Sequence, residues 1–455
     1  MVTFGETLNL AKKAFDDVPN LANRIDVVTL IRDVTGRISI IAEPKAGAEM
    51  LENDPDLANY ANALSARLGP YYARQLWTTD RVTPAFRALY SAAKKDRVVA
   101  DFDKSSSSPK WFKVERHVAK HLWATKREIK PPWPNEAVDK GGRAPIVTFF
   151  SFKGGLGRTT TLAGTAISLA RAGHRVAIVD LDLEAPGLHS LFSSRVPEAG
   201  VVDYLLEKRV QPDQWTLRTT IEIINDRLVV GETGQDIRVV PAGAIEPGYL
   251  EKLARLDFQH LKDDDLSETF RQMLRELDRT AGPVDFILLD ARAGFHELGG
   301  FAVSGLSHGV VLVGSQSRQN WAGLTEAVRL TARPFETDPL PVALVHAQVP
   351  GILAGNRATV LKEFAETAYD VFLQNYYDEE DSIPNANDSE APFNPLTIDW
   401  LEQLRGDLRV FKKDDSAEEK ERLAQLCKLL TEACRPVAER LCRMFGRSPK
   451  KEAAQ

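Results

Sequence analysis

From residue 145 onward, short apolar runs alternate with stretches in which apolar positions recur every three or four residues. The runs at 145–150, 175–181, 237–241, 284–290, 308–314 and 341–346 predict strands, and the stretches at 159–172, 264–280, 321–332 and 357–374 predict helices. Such alternation predicts an α/β fold, a mostly parallel sheet with helices on both faces. Ahead of it the pattern is mixed and predicts a smaller α+β unit. Helical spacing covers 8–15, 56–68 and 84–95. Residues 26–31 and 37–41 read as strands joined by a turn at Val34-Thr35-Gly36, and 111–115 as a further strand. The serine run at 105–108 predicts a loop. Residues 415–446 form a last helical pattern, with Leu423, Leu426, Leu430, Leu441 and Phe445 as its apolar stripe and Pro436 as an expected break or kink.

Residues 126–144 combine charge, prolines and a Gly-Gly pair, so they predict a linker. The expected organisation is therefore a front domain over 1–125, the linker, a main domain over 145–412 and a helical tail over 413–455. A chain of 455 residues with 43% hydrophobic and 27% charged residues has the composition of a globular protein with a large core. The net charge of −6 argues against non-specific binding to nucleic acid. The charge is uneven, at +4 over residues 1–140 and −10 over the rest, which leaves a basic face on the front domain as an open alternative. Cys427, Cys434 and Cys442 are too few and too crowded for a disulfide framework, and fit the core of a helix in a reducing cytoplasm. The first residues lack the basic-then-apolar pattern of a signal peptide. No apolar run is long enough to predict a membrane span. His117 and His121 share the spacing of one helix face but have no third ligand nearby to make a zinc site.

The sharpest chemistry follows the strand at 145–150. A Gly-rich turn, Lys153-Gly154-Gly155-Leu156-Gly157-Arg158-Thr159, opens the helix predicted at 159–172. Glycines there let the backbone take positive φ and approach a ligand closely. Successive N–H groups and the helix N-terminus then converge on phosphate oxygens. Thr159 stands where such loops supply a Mg²⁺ ligand, and Thr160 could bond an α-phosphate. The usual lysine before this threonine is replaced by Arg158, a cation that binds phosphate bidentately.

Two further strands end in carboxylates. The run at 175–181 leads through Asp180 to Asp182, and alternation would put both side chains on one face. That strand end lies beside the phosphate loop, where open α/β sheets bind ligands. The run at 284–290 ends in Asp290, the pattern that delivers one buried carboxylate to a metal.

As a set, these segments resemble the MinD/ParA class of P-loop ATPases with a deviant Walker A motif, and within it the group carrying the arginine variant K-G-G-V-G-R. The resemblance covers about 145–400. It implies that Lys153 reaches the nucleotide of a partner subunit across a sandwich dimer, and that Asp182 orients the attacking water. Asp180 would help order the Mg²⁺ shell, and Gly294, in Asp290-Ala291-Arg292-Ala293-Gly294, would offer its N–H to a γ-phosphate. The adenine would lie against residues 345–350, ending in Pro350, and against Ile383-Pro384. The asparagine common after that strand in the family is absent here. Glu184-Ala185-Pro186-Gly187 and Val239-Val240-Pro241-Ala242-Gly243 extend the match.

The expected function is a cytoplasmic molecular switch that binds ATP and Mg²⁺, dimerises with nucleotide, hydrolyses it slowly and recruits a protein partner through residues 1–125. The alternative is a non-hydrolysing, nucleotide-sensing adaptor in a bacterial multi-protein system, defence systems included. Phosphoryl transfer to protein is disfavoured, because the tyrosine cluster of the related bacterial kinases is missing after Tyr377. A nucleic-acid partner has no support in the residues.

Overall fold

In a computed structural model the structure describes residues 2–48, 54–79, 83–103, 109–124, 131–256, 258, 265–280, 282–332, 339–377, 382–404, 406 and 408–448. The chain divides into two compact units, Met1–Ala119 and Lys120–Gln455. The serine run at 105–108 lies outside the described residues.

The first unit is built on a five-stranded sheet. Its strands are β1 (Ile25–Arg32), β2 (Ile38–Pro44), β3 (Tyr72–Thr78), β4 (Val98–Val99) and β5 (Lys110–Glu115), in the order β3-β2-β1-β5-β4. β1 and β2 are antiparallel and meet at a turn held by Asp33, whose Oδ1 accepts the N–H groups of Thr35 (2.8 Å) and Arg37 (2.9 Å). Gly36 takes φ +86° there. One core cluster joins Val28, Leu30 and Ile40 to Ala11 and Phe15 of helix α1 (Thr7–Asp16) and to Leu57, Tyr60 and Leu64 of α2 (Pro55–Leu68). A second cluster joins Ile31, Ile41 and Val114 to Phe86 and Ala93 of α3 (Pro84–Asp96). β3 escapes the sequence pattern because its middle, Arg74-Gln75, is exposed.

The second unit holds the eight strands β6 (Ile146–Phe150), β7 (Val176–Leu181), β8 (Glu222–Ile224), β9 (Ile237–Val240), β10 (Phe286–Ala291), β11 (Gly309–Gly314), β12 (Val342–Val349) and β13 (Leu396–Asp399). Their order is β13-β12-β11-β6-β10-β7-β9-β8, and every neighbour pair is parallel except β8–β9. Every residue of β6, β7, β10 and β11 is buried, as strands covered by helices on both faces must be. The expected mostly parallel α/β sheet is therefore present. β6, which feeds the Gly-rich turn, lies between β11 and β10, with β7 next beyond β10. The strand ends carrying the turn, Asp180 and Asp290 are thus neighbours.

Within the stretch read as a linker, Trp133 and Val138 belong to the second unit's core, and Trp133 Nε1 donates to Ala144 O (3.0 Å). The terminal helix also joins this core. It runs unbroken over Ala417–Met444, so the break expected at Pro436 does not occur. An internal proline costs a helix roughly 3 kcal/mol, and burial of Leu430, Cys434, Val437, Ala438 and Leu441 on either side offsets that. This helix packs against the one that follows the Gly-rich turn, Arg158–Arg171. Ser168 Oγ donates to Thr431 O (3.1 Å), and a Cβ on Gly164 would stand 2.5 Å from Cys434 Sγ.

Burial pushes the three thiols up, Cys427 and Cys434 to about 12 and Cys442 to about 11. They should stay inert to an aromatic disulfide reagent until the chain unfolds. Gly164→Val should overpack the helix contact, lower stability by about 1–3 kcal/mol in urea denaturation and make Cys434 reactive under native conditions. Unchanged thiol reactivity in that variant would contradict the packing.

Candidate functional site

The site begins where β6 runs out. Gly155 and Gly157 take φ +78° and +80°, a region that side chains with a Cβ avoid. A Cβ on Gly154, Gly155 or Gly157 would meet nothing within 4 Å, so the turn borders open space. Ser151 Oγ donates to Lys153 O (2.9 Å) and pins the turn's start, while Leu156 is buried and anchors its middle. Lys153, Thr159 and Thr160 are half-buried. The first helical N–H groups after Gly157 have no helical acceptor of their own, which is the arrangement that holds anions.

Arg158 turns inward from this helix start. Its side chain is 9% exposed. Nε donates to Asp290 Oδ1 (2.6 Å) and Nη2 donates to Asp182 Oδ2 (3.1 Å). Thr159 Oγ1 donates to the other oxygen, Asp290 Oδ2 (2.6 Å). Burial works against the guanidinium's charge, but Asp290 and Asp182 outweigh it and raise its pKa. Burial raises Asp290, and Arg158 pulls it back. Asp182 Oδ1 is buried and has no hydrogen-bond partner in the structure.

Asp180 is wholly buried near the end of β7. β7 ends at Leu181, so Asp182 already lies on the loop while Asp180 points into the protein. Asp180 Oδ1 accepts the N–H of Asp182 (3.0 Å), and Oδ2 accepts those of Gly187 (3.1 Å) and Leu188 (3.0 Å). Its carboxylate therefore ties down the loop that carries Asp182. Burial and the neighbouring Asp290 push Asp180 up to about 8.

The loop after Asp290 meets the Asp182 loop through one acid. Glu184 pairs with Arg292 and with His296 Nε2 (2.6 Å). Gly294, at φ +80°, donates its N–H to Ser151 O (3.2 Å). The short helix His121–Ala124 sits against the same loop: Trp123 Nε1 donates to His296 O (2.7 Å), and the Trp123 and Phe295 rings are 5.0 Å apart. On the other side, Gln348 near the end of β12 takes φ +57° and donates from Nε2 to Gly155 O (2.6 Å). Pro350 O accepts from Arg357, which also pairs with Asp399 at 2.7 Å. Pro384 is half-buried in an irregular stretch.

Sequence reasoning missed Gln348, His296 and Trp123. Gln348 had a signal, since it lies in the segment searched for a base-reading asparagine. Among the described residues, no group of three or more His, Cys, Asp or Glu side chains could hold a metal by itself. Thr159, Asp290 and the orphaned oxygen of Asp182 nonetheless form an oxygen donor set of the kind Mg²⁺ takes together with phosphates and water.

Residues 147–376 match the family described as the CobQ/CobB/MinD/ParA nucleotide binding domain. "Putative replication protein A" of Sinorhizobium fredii is 31% identical over 150 residues, which cover 33% of this chain and 34% of that protein. An uncharacterized ATP-binding protein of Methanocaldococcus jannaschii is 26% identical over 151 residues, covering 33% of this chain and 46% of that one. The chain thus spans less than half the length of either relative. The solved structure of a ParA family ATPase from Chlorobium tepidum superposes with a TM-score of 0.43 at 15% identity, covering 65% of this chain and 98% of that one. With the family match extending over half of its length, the chain belongs to the CobQ/CobB/MinD/ParA nucleotide-binding family.

Proposed function

We propose that this protein is a Mg·ATP-dependent molecular switch of the MinD/ParA type, with slow hydrolysis coupled to dimer formation and partner recruitment. One observation carries the reading: Arg158, Thr159, Asp182 and Asp290 converge beside an open, positive-φ glycine turn at a helix N-terminus. The N–H groups from Gly154 to Thr160 bind the phosphates, and Arg158 adds a forked donor. Thr159 and Asp290 would hold Mg²⁺, which supplies charge neutralisation to the phosphoryl group when bound. Asp182 orients the attacking water. Lys153, half-buried at the start of the turn, reaches the nucleotide of a second copy. The family match supports nucleotide binding, and ATP follows from the resemblance and from the ATP-binding relative.

The two loops that respond to nucleotide are joined by Glu184, so the Asp182 loop and the Asp290 loop move together. Trp123 then gives the second loop a path to the stretch of chain leading back to the first unit. That unit is the partner-recruiting part. A second reading, a nucleotide-sensing adaptor without hydrolysis, draws on the engagement of Arg158 with both carboxylates. Adenine packs near Gln348 and Pro350, with Pro384 closing over it.

Purified protein with Mg·ATP should release phosphate slowly, and Asp182→Ala should lower the rate at least about 100-fold while ATP binding persists. No release from the wild type, with ATP bound intact, would select the adaptor. Lys153→Ala should weaken nucleotide-dependent dimerisation in light scattering and turnover more than it weakens ATP affinity. Equal loss of all three would contradict a role across the dimer.

A further inference from the structure

Three groups that suit a divalent cation, Thr159, Asp290 and Asp182, are already engaged by a cation of the chain itself. The Arg158 guanidinium uses two different nitrogens on two different carboxylates, 2.6 Å and 3.1 Å away, and Thr159 donates to the remaining Asp290 oxygen at 2.6 Å. The cluster is well shielded, with side-chain exposures of 9% for Arg158, 2% for Asp290 and 13% for Asp182. A lysine ammonium is a compact point charge, whereas the planar fork of arginine is shaped to meet two acceptors at once. The replacement of the usual lysine thus has a geometric consequence at the metal-binding groups.

We propose that Arg158 is a tethered stand-in for the metal, excluding divalent cations from Asp290 and Asp182 until a polyphosphate draws the guanidinium away. The inference rests on the nucleotide-switch reading and specifies how that site is regulated. Phosphate and carboxylate compete for the same fork, because each presents a pair of oxygens that a guanidinium can meet with two N–H groups. When Arg158 turns to phosphate, both carboxylates lose their partner together. Asp290, with Thr159 beside it, is then open to the metal, and Asp182 is freed to face water. Metal and nucleotide therefore enter as a coupled pair, and metal alone does not organise the site.

The test uses Mn²⁺ alone, on the full chain and without nucleotide, followed by electron paramagnetic resonance. Wild type should bind Mn²⁺ only weakly. Arg158→Gln should bind one Mn²⁺ at least about tenfold more tightly, and Arg158→Gln with Asp290→Asn should lose that gain. Thermal melting is the second readout. Arg158→Gln should melt lower than wild type in chelator and recover with Mn²⁺, while wild type shows little response. If the glutamine variant does not fold, Arg158→Lys should still show a gain in Mn²⁺ affinity, since a compact ammonium lacks the planar fork that meets the two carboxylates with separate nitrogens. Wild type binding Mn²⁺ as tightly as either variant, or variants without a gain, would overturn the proposal. These outcomes are independent of whether wild type binds or hydrolyses ATP, so failure of the switch reading would be seen separately.

Discussion

The guanidinium of Arg158, held between Asp290 and Asp182, is the interaction on which the rest of the site turns. Two carboxylates this deeply buried cannot stay charged side by side without a cation. The fold brings them together because β6, β10 and β7 are adjacent and parallel, so their carboxyl ends open on one edge. The cation comes from the first residue of the helix that follows β6, directly after Gly157. A ligand bringing phosphate and metal can exchange with that cation without leaving a buried charge unpaired.

The surrounding structure can be read as support for that exchange. Asp180, although on the neighbouring strand end, holds the Asp182 loop by three backbone N–H groups. Gln348 fixes the carbonyl of Gly155 from the opposite side. Glu184 fastens the Asp182 loop to Arg292 and His296 of the Asp290 loop. Behind the turn, the long terminal helix buttresses the helix Arg158–Arg171 through a contact so close that Gly164 has no room for a Cβ. Movement of Arg158 therefore bears on loops, while the helix that carries it is held from behind.

The central strands were legible in the sequence because burial on both faces makes them continuous apolar runs. β3, β8 and β13 were not, since each is short or carries exposed polar residues, and β3, β8 and β13 lie at sheet edges. The glycines, Thr159, Asp182 and Asp290 were legible because strand, turn and helix order puts them at one place. The bonds from Gly187 and Leu188 to Asp180 were hidden, because no local pattern reports a loop that folds back on a strand end. The Glu184–His296 pair joins residues 112 positions apart, a distance over which no local pattern reports. The helix through Pro436 shows tertiary burial overriding a local breaker.

The most direct measurement is a calorimetric titration of the full chain with AMP, ADP and ATP in the presence of Mg²⁺. The account predicts one site per chain and an affinity that rises with each phosphate, by at least about 100-fold from AMP to ATP, because a forked guanidinium and a nest of backbone N–H groups recognise phosphate rather than base. Absence of binding, or AMP held as tightly as ATP, would contradict it.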